Sequence, residues 1–148
     1  MAKNTVLTLK KKVDEGGKVT MVTSYDYTMA ALVEEAGIDM ILVGDSLGMT
    51  MMGYDSTIPV TMDDMVHHTR CVTRATSNTF VVGDMPFLSY EQDVATAVSN
   101  AGRLMKEGRC QAVKLEGGIE VCPQVKAMVE AGIPVVGHIG LTPQSVNA

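Results

Sequence analysis

Three acidic residues each follow a short apolar run that is typical of a β-strand: Asp45 after residues 38–44, Asp84 after 80–83 and Glu116 after 112–115. Stretches of helix length separate the runs, so each carboxylate closes one strand–helix unit. Parallel strands in such units end on the same side of the sheet, where α/β folds keep their chemistry. Carboxylates gathered there would repel one another, and a hard cation such as Mg²⁺ would relieve the repulsion. The pattern predicts a metal-assisted enzyme.

The elements that must position these carboxylates alternate along the chain. Thr61 and Asp64 have the spacing of a capping box, and Ser89 and Gln92 repeat it, so each pair predicts a helix start. Pro123 suits the first turn of a further helix that closes at Gly132. The predicted helices are 5–13, 27–36, 61–74, 89–107 and 123–131, and the predicted strands are 19–23, 38–43, 80–83, 112–115 and 134–137, with a long loop at 45–60.

The succession of strand–helix units limits the fold class. Glu-Ala-Gly-Ile occurs at 35–38 and again at 130–133, each time as a helix end, a glycine stop and a strand start. Five such units imply a parallel sheet with right-handed crossovers, and no dinucleotide-binding or P-loop motif follows any strand. An open doubly wound sheet and a TIM barrel both remain possible. A complete barrel needs about 250 residues, so a barrel formed by these 148 residues would be incomplete.

Composition and charge exclude several classes of protein. No apolar run approaches the roughly 20 residues that span a bilayer, and lysines at 10–12 interrupt the only N-terminal candidate for a signal peptide. The net charge of −5 argues against a nucleic-acid surface. The three cysteines have no CxxC spacing and read as reduced thiols. We therefore expect a cytoplasmic protein with neither a membrane nor a nucleic acid as partner.

Five motifs along the chain resemble those of the ketopantoate hydroxymethyltransferase family, in the same order and with similar spacing. They are VGDSLGMT at 43–50, GYDSTIPVT at 53–61, DMPF at 84–87, VKLEGG at 113–118 and GHIGLTPQ at 137–144. The resemblance covers nearly all of this chain and a little over half of a family member. It implies a (βα)₈ TIM barrel of the phosphoenolpyruvate mutase/isocitrate lyase type. Residues 1–148 would then be an incomplete barrel domain with the first five units.

The resemblance also implies a reaction. In this family 5,10-methylenetetrahydrofolate donates a hydroxymethyl group to 3-methyl-2-oxobutanoate, which gives 2-dehydropantoate in the first step of pantothenate synthesis. Full-length members are expected to be homo-oligomers. Matched position by position, Asp45, Asp84 and Glu116 correspond to the Mg²⁺-site carboxylates, and Asp45, Ser46, Asp84 and Lys114 to residues that contact the ketoacid. A chelated metal would polarise the keto group and stabilise an enolate.

One catalytic role stays unassigned. The proton-abstracting glutamate of the family would lie on a later strand, beyond Ala148, and the nearby Lys114 and His138 do not match it. We expect His138 to line the site rather than to catalyse. Five strands would also leave two free edges, 19–23 and 134–137, so association or aggregation of the isolated chain is expected.

Two alternatives to the transferase remain open. A lyase or mutase of the same barrel superfamily would share the metal geometry, although no cysteine stands at a strand end. The other alternative is a non-catalytic, incomplete chain that folds poorly, or that binds metal and 2-oxo acid without turnover. The missing base and three missing strand–helix units favour it.

Overall fold

The computed structural model describes residues 3–147, and helices alternate with strands along them. The helices are α1 (Val6–Asp14), α2 (Tyr27–Glu35), α3 (Leu47–Thr50), α4 (Met62–Ala75), α5 (Val94–Arg103) and α6 (Cys122–Glu130). The strands are β1 (Met21–Thr23), β2 (Met40–Val43), β3 (Phe80–Asp84), β4 (Ala112–Glu116) and β5 (Val135–His138). A π-helical turn at Leu104–Gly108 and 3₁₀ turns at Ile119–Val121 and Pro143–Ser145 complete the chain.

The five strands form one parallel sheet in the order β1-β2-β3-β4-β5. Each strand lies next to the strand that follows it in the sequence. A doubly wound sheet instead reverses its strand order at a switch point, whereas a barrel adds strands in sequence. The strand order of this sheet is therefore that of a TIM barrel and not that of a doubly wound sheet. Strands β1 and β5 each have one neighbour, and β1 is exposed at every residue. Association through these edges stays a prediction.

The register of the sheet decides which side chains share a face. Asp84 pairs with Lys114, and Glu116 pairs with His138. Because side chains alternate along a strand, Lys114 and Glu116 project from the same face of β4. Farther down this face lie the buried side chains of Phe80, Val82 and Ala112, with Leu9 of α1 packed against them. The polar residues thus cap an apolar layer.

The opposite face of the sheet carries the main hydrophobic core. Ile41, Val81 and Val113 are fully buried there, and α4 contributes Met65 and Val72. These β-branched strand residues pack well on a pleated surface that helices cover. The core anchors the strands whose ends carry the acidic residues. None of the helices within residues 3–147 is long and apolar enough to cross a membrane.

Helix starts were predicted correctly at one capping box and wrongly at the other. Thr61 caps α4, with its hydroxyl accepting from the Asp64 amide at 3.1 Å and the Asp64 carboxylate accepting from the Thr61 amide at 2.9 Å. The predicted start at Ser89 is wrong. Asp93 caps α5 instead and accepts from the Thr96 amide at 2.8 Å. Asp and Ser are comparable caps in general, but the Ser89 hydroxyl is buried in the preceding loop, where it caps no helix.

Other predicted boundaries shift by one or two residues. The strands predicted at 19–23, 38–43 and 134–137 begin later in the structure, and the strands predicted to end at 83, 115 and 137 each extend by one residue. The segment 45–60, predicted as a loop, contains the short helix α3. Gly37 and Gly132 adopt positive φ of 76° and 83°, where helices α2 and α6 end. Such glycines allow the reversal into the next strand.

Candidate active site

The carboxyl ends of three neighbouring strands bring the predicted acids together. Asp84 and Glu116 are the last residues of β3 and β4, and Asp45 follows β2 by two residues. All three are buried, with exposed fractions of 5% for Asp45, 2% for Asp84 and 5% for Glu116. The Asp45 amide donates to Asp84 Oδ2 at 3.3 Å. The acids therefore belong to one buried polar cluster.

Lys114 supplies positive charge inside this cluster. Its Nζ donates to Asp84 Oδ1 at 2.7 Å and lies 4.0 Å from Glu116 Oε1. The strand register fixes this contact, because Lys114 pairs with Asp84 across β3 and β4. The Lys114 side chain is itself only 12% exposed. One ammonium therefore faces three carboxylates, which leaves an excess of negative charge when all are ionised.

The pKa values of two acids reflect that excess. Burial raises the pKa of Asp84 to about 7; the Lys114 ammonium opposes the rise, and the Asp45 charge adds to it. Burial likewise raises the pKa of Asp45, although a hydrogen bond from Gln144 and the charge of Lys114 work against it. A carboxyl group with a pKa near 7 is incompletely ionised at neutral pH. The hydrogen-bond donors and the ammonium of the protein therefore do not fully stabilise the ionised form of these acids.

This donor set fits a hard divalent cation in chemistry, because the carboxylate oxygens are buried and carry uncompensated charge. In this structure, however, the acidic side chains do not converge on a single metal position. Within residues 3–147, no three His, Cys, Asp or Glu side chains are spaced as ligands of one metal ion. The Lys114 ammonium and the Gln144 amide instead hydrogen-bond to the acids. The metal-ligand role of the acids stays a prediction.

Ser46 lies at the same end of the sheet and contacts an aromatic residue that follows β1. Its Oγ is 2.8 Å from the Tyr25 hydroxyl, and the Tyr25 carbonyl is 2.8 Å from His68 Nδ1. A Cβ atom on Gly44 would lie 3.1 Å from Ser46 Oγ and 3.8 Å from Asp84 Oδ2. Glycine thus permits the close approach between the Ser46 hydroxyl and the acid cluster. The contact to ketoacid predicted for Ser46 stays a prediction.

His138 ends β5 and contacts Glu116. Its Nδ1 lies 3.0 Å from Glu116 Oε1, as their register pairing requires. The ring is partly buried and its contact is to an acid of the cluster. The position agrees with a histidine that lines the site and orients a carboxylate.

Two residues in the cluster were not predicted from the sequence. The Tyr90 hydroxyl donates to Gln144 Oε1 at 2.7 Å, and Gln144 Nε2 donates to Asp45 Oδ2 at 2.8 Å. Gln144 belongs to the motif at 137–144, but that motif gave it no role. Tyr90 lies in an irregular loop with no strand end to mark it. The presence of Gln144 in a distinctive motif was the only available signal.

The sequence is similar to those of known proteins along nearly its whole length. A sequence profile described as ketopantoate hydroxymethyltransferase matches residues 3–148. A protein of Enterococcus faecalis named 3-methyl-2-oxobutanoate hydroxymethyltransferase is 61% identical over 99% of this chain and 53% of its own length. A protein of the same name from Clostridium novyi is 61% identical over 98% of this chain and 53% of its own length. The chain spans about half the length of these curated relatives.

Solved structures share the fold at low sequence identity. Phosphoenolpyruvate phosphomutase from Streptomyces platensis subsp. rosaceus aligns with a TM-score of 0.73 at 18% identity, over 90% of this chain and 53% of that one. Phosphonopyruvate hydrolase, solved with oxalate and Mg²⁺, aligns with a TM-score of 0.74 at 16% identity, over 93% of this chain and 52% of that one. The predicted fold class, the first five strand–helix units of a barrel of the phosphoenolpyruvate mutase/isocitrate lyase type, is confirmed.

Proposed function

The chain belongs to the ketopantoate hydroxymethyltransferase family, and from this membership we propose that its strand-end cluster serves hydroxymethyl transfer. The acceptor would be 3-methyl-2-oxobutanoate, the donor 5,10-methylenetetrahydrofolate and the product 2-dehydropantoate. The observation that carries the proposal is the buried cluster in which one lysine faces three carboxylates. Since the chain spans about half of its relatives' length, the step proposed for these residues is binding of metal and ketoacid.

Asp45, Asp84 and Glu116 would hold Mg²⁺ in this proposal. The bound ion would act as a Lewis acid on the keto oxygen of the substrate. Burial, oxygen chemistry and excess negative charge support the assignment. So does phosphonopyruvate hydrolase, a fold neighbour whose structure contains Mg²⁺ and oxalate.

Lys114 and Ser46 would bind the ketoacid itself. Lys114 lies on the face of β4 that also carries Glu116, and its Nζ would donate to the substrate carboxylate. The contact with Asp84 keeps the ammonium in place. The Ser46 hydroxyl could donate to a second substrate oxygen, and the Tyr25 hydroxyl at 2.8 Å would orient it. Both groups would stabilise negative charge that develops on the substrate oxygens. Asp45 and Asp84 would complete the ketoacid contacts.

The setting of this site is also part of the proposal. Residues 1–148 would contribute the first five strand–helix units of a barrel that assembles into a homo-oligomer. Cys71, Cys110 and Cys122 are all free thiols in the structure, which suits a reducing cytoplasm. No catalytic base is assigned to this chain. His138 binds Glu116 through Nδ1, a contact that suits an orienting role better than proton abstraction.

Calorimetric titration tests the binding step. Mg²⁺ should bind the chain, and 3-methyl-2-oxobutanoate should bind more tightly when Mg²⁺ is present. The Ser46→Ala variant should weaken ketoacid binding and leave Mg²⁺ affinity unchanged. Asp14→Asn is the control for a carboxylate away from the site, because Asp14 lies on the exposed surface of α1, where it pairs with Lys10. Failure of the wild-type chain to bind Mg²⁺ would contradict the proposal.

A further inference from the structure

Two buried residues that the proposed chemistry does not use connect the acids of two strands. Tyr90 is 1% exposed and lies in the loop after β3, and Gln144 is 4% exposed and lies in the 3₁₀ turn after β5. Their side chains meet at 2.7 Å although the residues are 54 positions apart. Both also contact residues of the acid cluster. Their placement suggests more than filling of the core.

The chemistry of the partners fixes the orientation of the Gln144 amide. The Met85 carbonyl can only accept, so the Gln144 atom at 2.9 Å from it must be the amide nitrogen. This nitrogen also donates to Asp45 Oδ2 at 2.8 Å. The amide oxygen is then left facing the Tyr90 hydroxyl. Reversal of the amide would bring oxygen against two acceptors at once.

The orientation of the Tyr90 hydroxyl follows in turn. Gln144 Oε1 can only accept, so Tyr90 must donate its single proton to it at 2.7 Å. The hydroxyl oxygen is then free to accept from the Glu116 amide at 3.1 Å. Every member of this network has a partner in one arrangement only. A network of this kind is rigid, because any rotation leaves a buried group unpaired.

Gln144 acts on the acids of two different strands. Its side chain donates to Asp45 Oδ2 at 2.8 Å, and its main-chain amide donates to Glu116 Oε2 at 3.1 Å. The Gln144 side chain thus holds the Asp45 carboxylate through Oδ2. A carboxylate held through one oxygen presents the second oxygen in a defined direction.

We propose that Tyr90 and Gln144 are positioning residues for the metal-binding carboxylates. Gln144 holds Asp45 and Glu116 directly, and Tyr90 acts through Gln144 by fixing the direction of its amide. The inference rests on the proposed function, because it assigns the orientation of carboxylates that would ligate Mg²⁺. Outer contacts of this type typically change metal affinity by about 10–100-fold when they are removed.

Mg²⁺ affinity measured by calorimetry tests the proposal, with each variant's melting temperature measured by circular dichroism. Gln144→Leu should weaken Mg²⁺ binding by about tenfold or more. Gln124→Leu is the matched control, because Gln124 is also buried, at 8% exposed, and its amide oxygen has no hydrogen-bond partner among residues 3–147. A purely structural role of Gln144 would lower the melting temperature of Gln144→Leu and leave its Mg²⁺ affinity unchanged.

Tyr90→Phe provides an independent test that keeps the aromatic ring in the core. It should weaken Mg²⁺ binding, although less than Gln144→Leu does. The control Tyr27→Phe, on the exposed start of α2, should leave Mg²⁺ affinity unchanged. Since Tyr90 acts through Gln144, the double variant should bind Mg²⁺ no more weakly than Gln144→Leu alone. If Gln144→Leu does not fold, Tyr90→Phe alone decides the outcome.

The results separate the two proposals. Wild-type Mg²⁺ binding with unchanged affinity in Tyr90→Phe and Gln144→Leu would overturn the positioning role and leave the proposed function standing. Additive losses in the double variant would refute the route through Gln144. Absence of Mg²⁺ binding by the wild-type chain would overturn both proposals.

Discussion

Acidic residues at the two ends of the sheet have opposite electrostatic properties. At the amino ends of the strands, Glu34 and Asp39 have pKa values below their ordinary range. At the carboxyl ends, the pKa values of Asp45 and Asp84 are raised. All four are carboxylates placed around the same sheet, so residue type does not cause the difference. The balance between burial, which raises each pKa, and the donors and charges around each carboxylate causes it.

The acids at the amino ends are saturated with hydrogen-bond donors. Burial works to raise the pKa of Glu34, but main-chain amides of residues 77, 78 and 79 donate to its two oxygens at 2.8, 3.0 and 3.1 Å and lower it. Burial acts similarly on the pKa of Asp39 and is outweighed by Lys12 at 2.7 Å and by Thr20. These acids fasten α1 and α2 to the sheet and leave no charge for a ligand.

The acids at the carboxyl ends are short of positive charge. Lys114 is the one basic side chain that contacts them within residues 3–147, apart from the ring of His138. Perturbed, incompletely compensated carboxyl groups at strand ends are typical of functional sites. The comparison teaches that carboxylates at one end of the sheet are compensated by donors and stabilise the fold, whereas those at the other end are undercompensated, as the proposed cation site requires.

The largest expected effect is loss of metal binding in Asp84→Asn. The substitution keeps the shape of the side chain and removes a charged oxygen ligand. Mg²⁺ affinity should fall by more than the roughly 10–100-fold typical of outer contacts, while the melting temperature should not decrease, because a buried charge is removed. Calorimetry and thermal unfolding measure the two effects. Unchanged Mg²⁺ affinity would mean that Asp84 is not a metal ligand and, like the acids at the amino ends, serves only the fold.

Lys114→Ala should have the next largest effect, on ketoacid binding. A charge-assisted contact contributes about 1.5–3 kcal/mol, so 3-methyl-2-oxobutanoate should bind roughly tenfold or more weakly at saturating Mg²⁺. Lys106→Ala is a suitable control, since Lys106 lies on the surface beyond α5. Equal ketoacid affinity in the wild type and in Lys114→Ala would show that Lys114 does not bind the ketoacid and that its role is to neutralise Asp84.

Glu34→Gln should destabilise the fold and leave the metal site intact. The substitution replaces one carboxylate oxygen with an amide group that faces a main-chain donor. We expect a loss of about 1.5–3 kcal/mol in the free energy of unfolding, measured by urea denaturation, with unchanged Mg²⁺ affinity. A weakened metal site in Glu34→Gln would mean that the two ends of the sheet are not independent.

The smallest expected effect is on the pH dependence of stability. The raised pKa of Asp84 means that the folded state keeps a proton that the unfolded state loses, so stability from this group falls as the pH rises from about 4 to about 7. Glu34 and Asp39, whose pKa values are lowered, contribute stability above their unfolded pKa values and lose it as the pH falls through their folded pKa values.

Urea midpoints measured without metal between pH 4.5 and 7.5 would separate these contributions. The stability advantage of Asp84→Asn over the wild type should grow with pH across this range. A constant difference between the two proteins would argue that Asp84 titrates near its ordinary pKa.

Local patterns in the sequence were sufficient for the parts of the site that lie at strand ends. Asp84 and Glu116 follow apolar runs whose strand character is a local property, and the parallel arrangement of the strands brings their ends together. The helix start at Ser89 was predicted wrongly because Ser89 is buried in a loop and Asp93, three residues before Thr96, caps the helix instead. Competition between two nearby capping patterns is decided by burial, which the sequence does not display.

Contacts between distant loops could not be predicted in the same way. Tyr90 and Gln144 lie in segments without helical or strand periodicity, and their hydrogen bond depends on how two loops close over the sheet. The contact between Lys114 Nζ and Asp84 Oδ1 similarly requires the register of β3 against β4. The sequence therefore predicts which residue types occur at the site, but not which hydrogen-bond partner each of them has.

The protonation of the Asp84 carboxyl group tests the central claim most directly. Carbon-13 NMR of the labelled side chain can follow its titration with and without Mg²⁺. The account predicts that Asp84 titrates near pH 7 in metal-free protein and that saturating Mg²⁺ moves the titration to much lower pH. A metal-free titration near pH 4, or one that Mg²⁺ leaves unchanged, would contradict the claim that this end of the sheet holds charge ready for a cation.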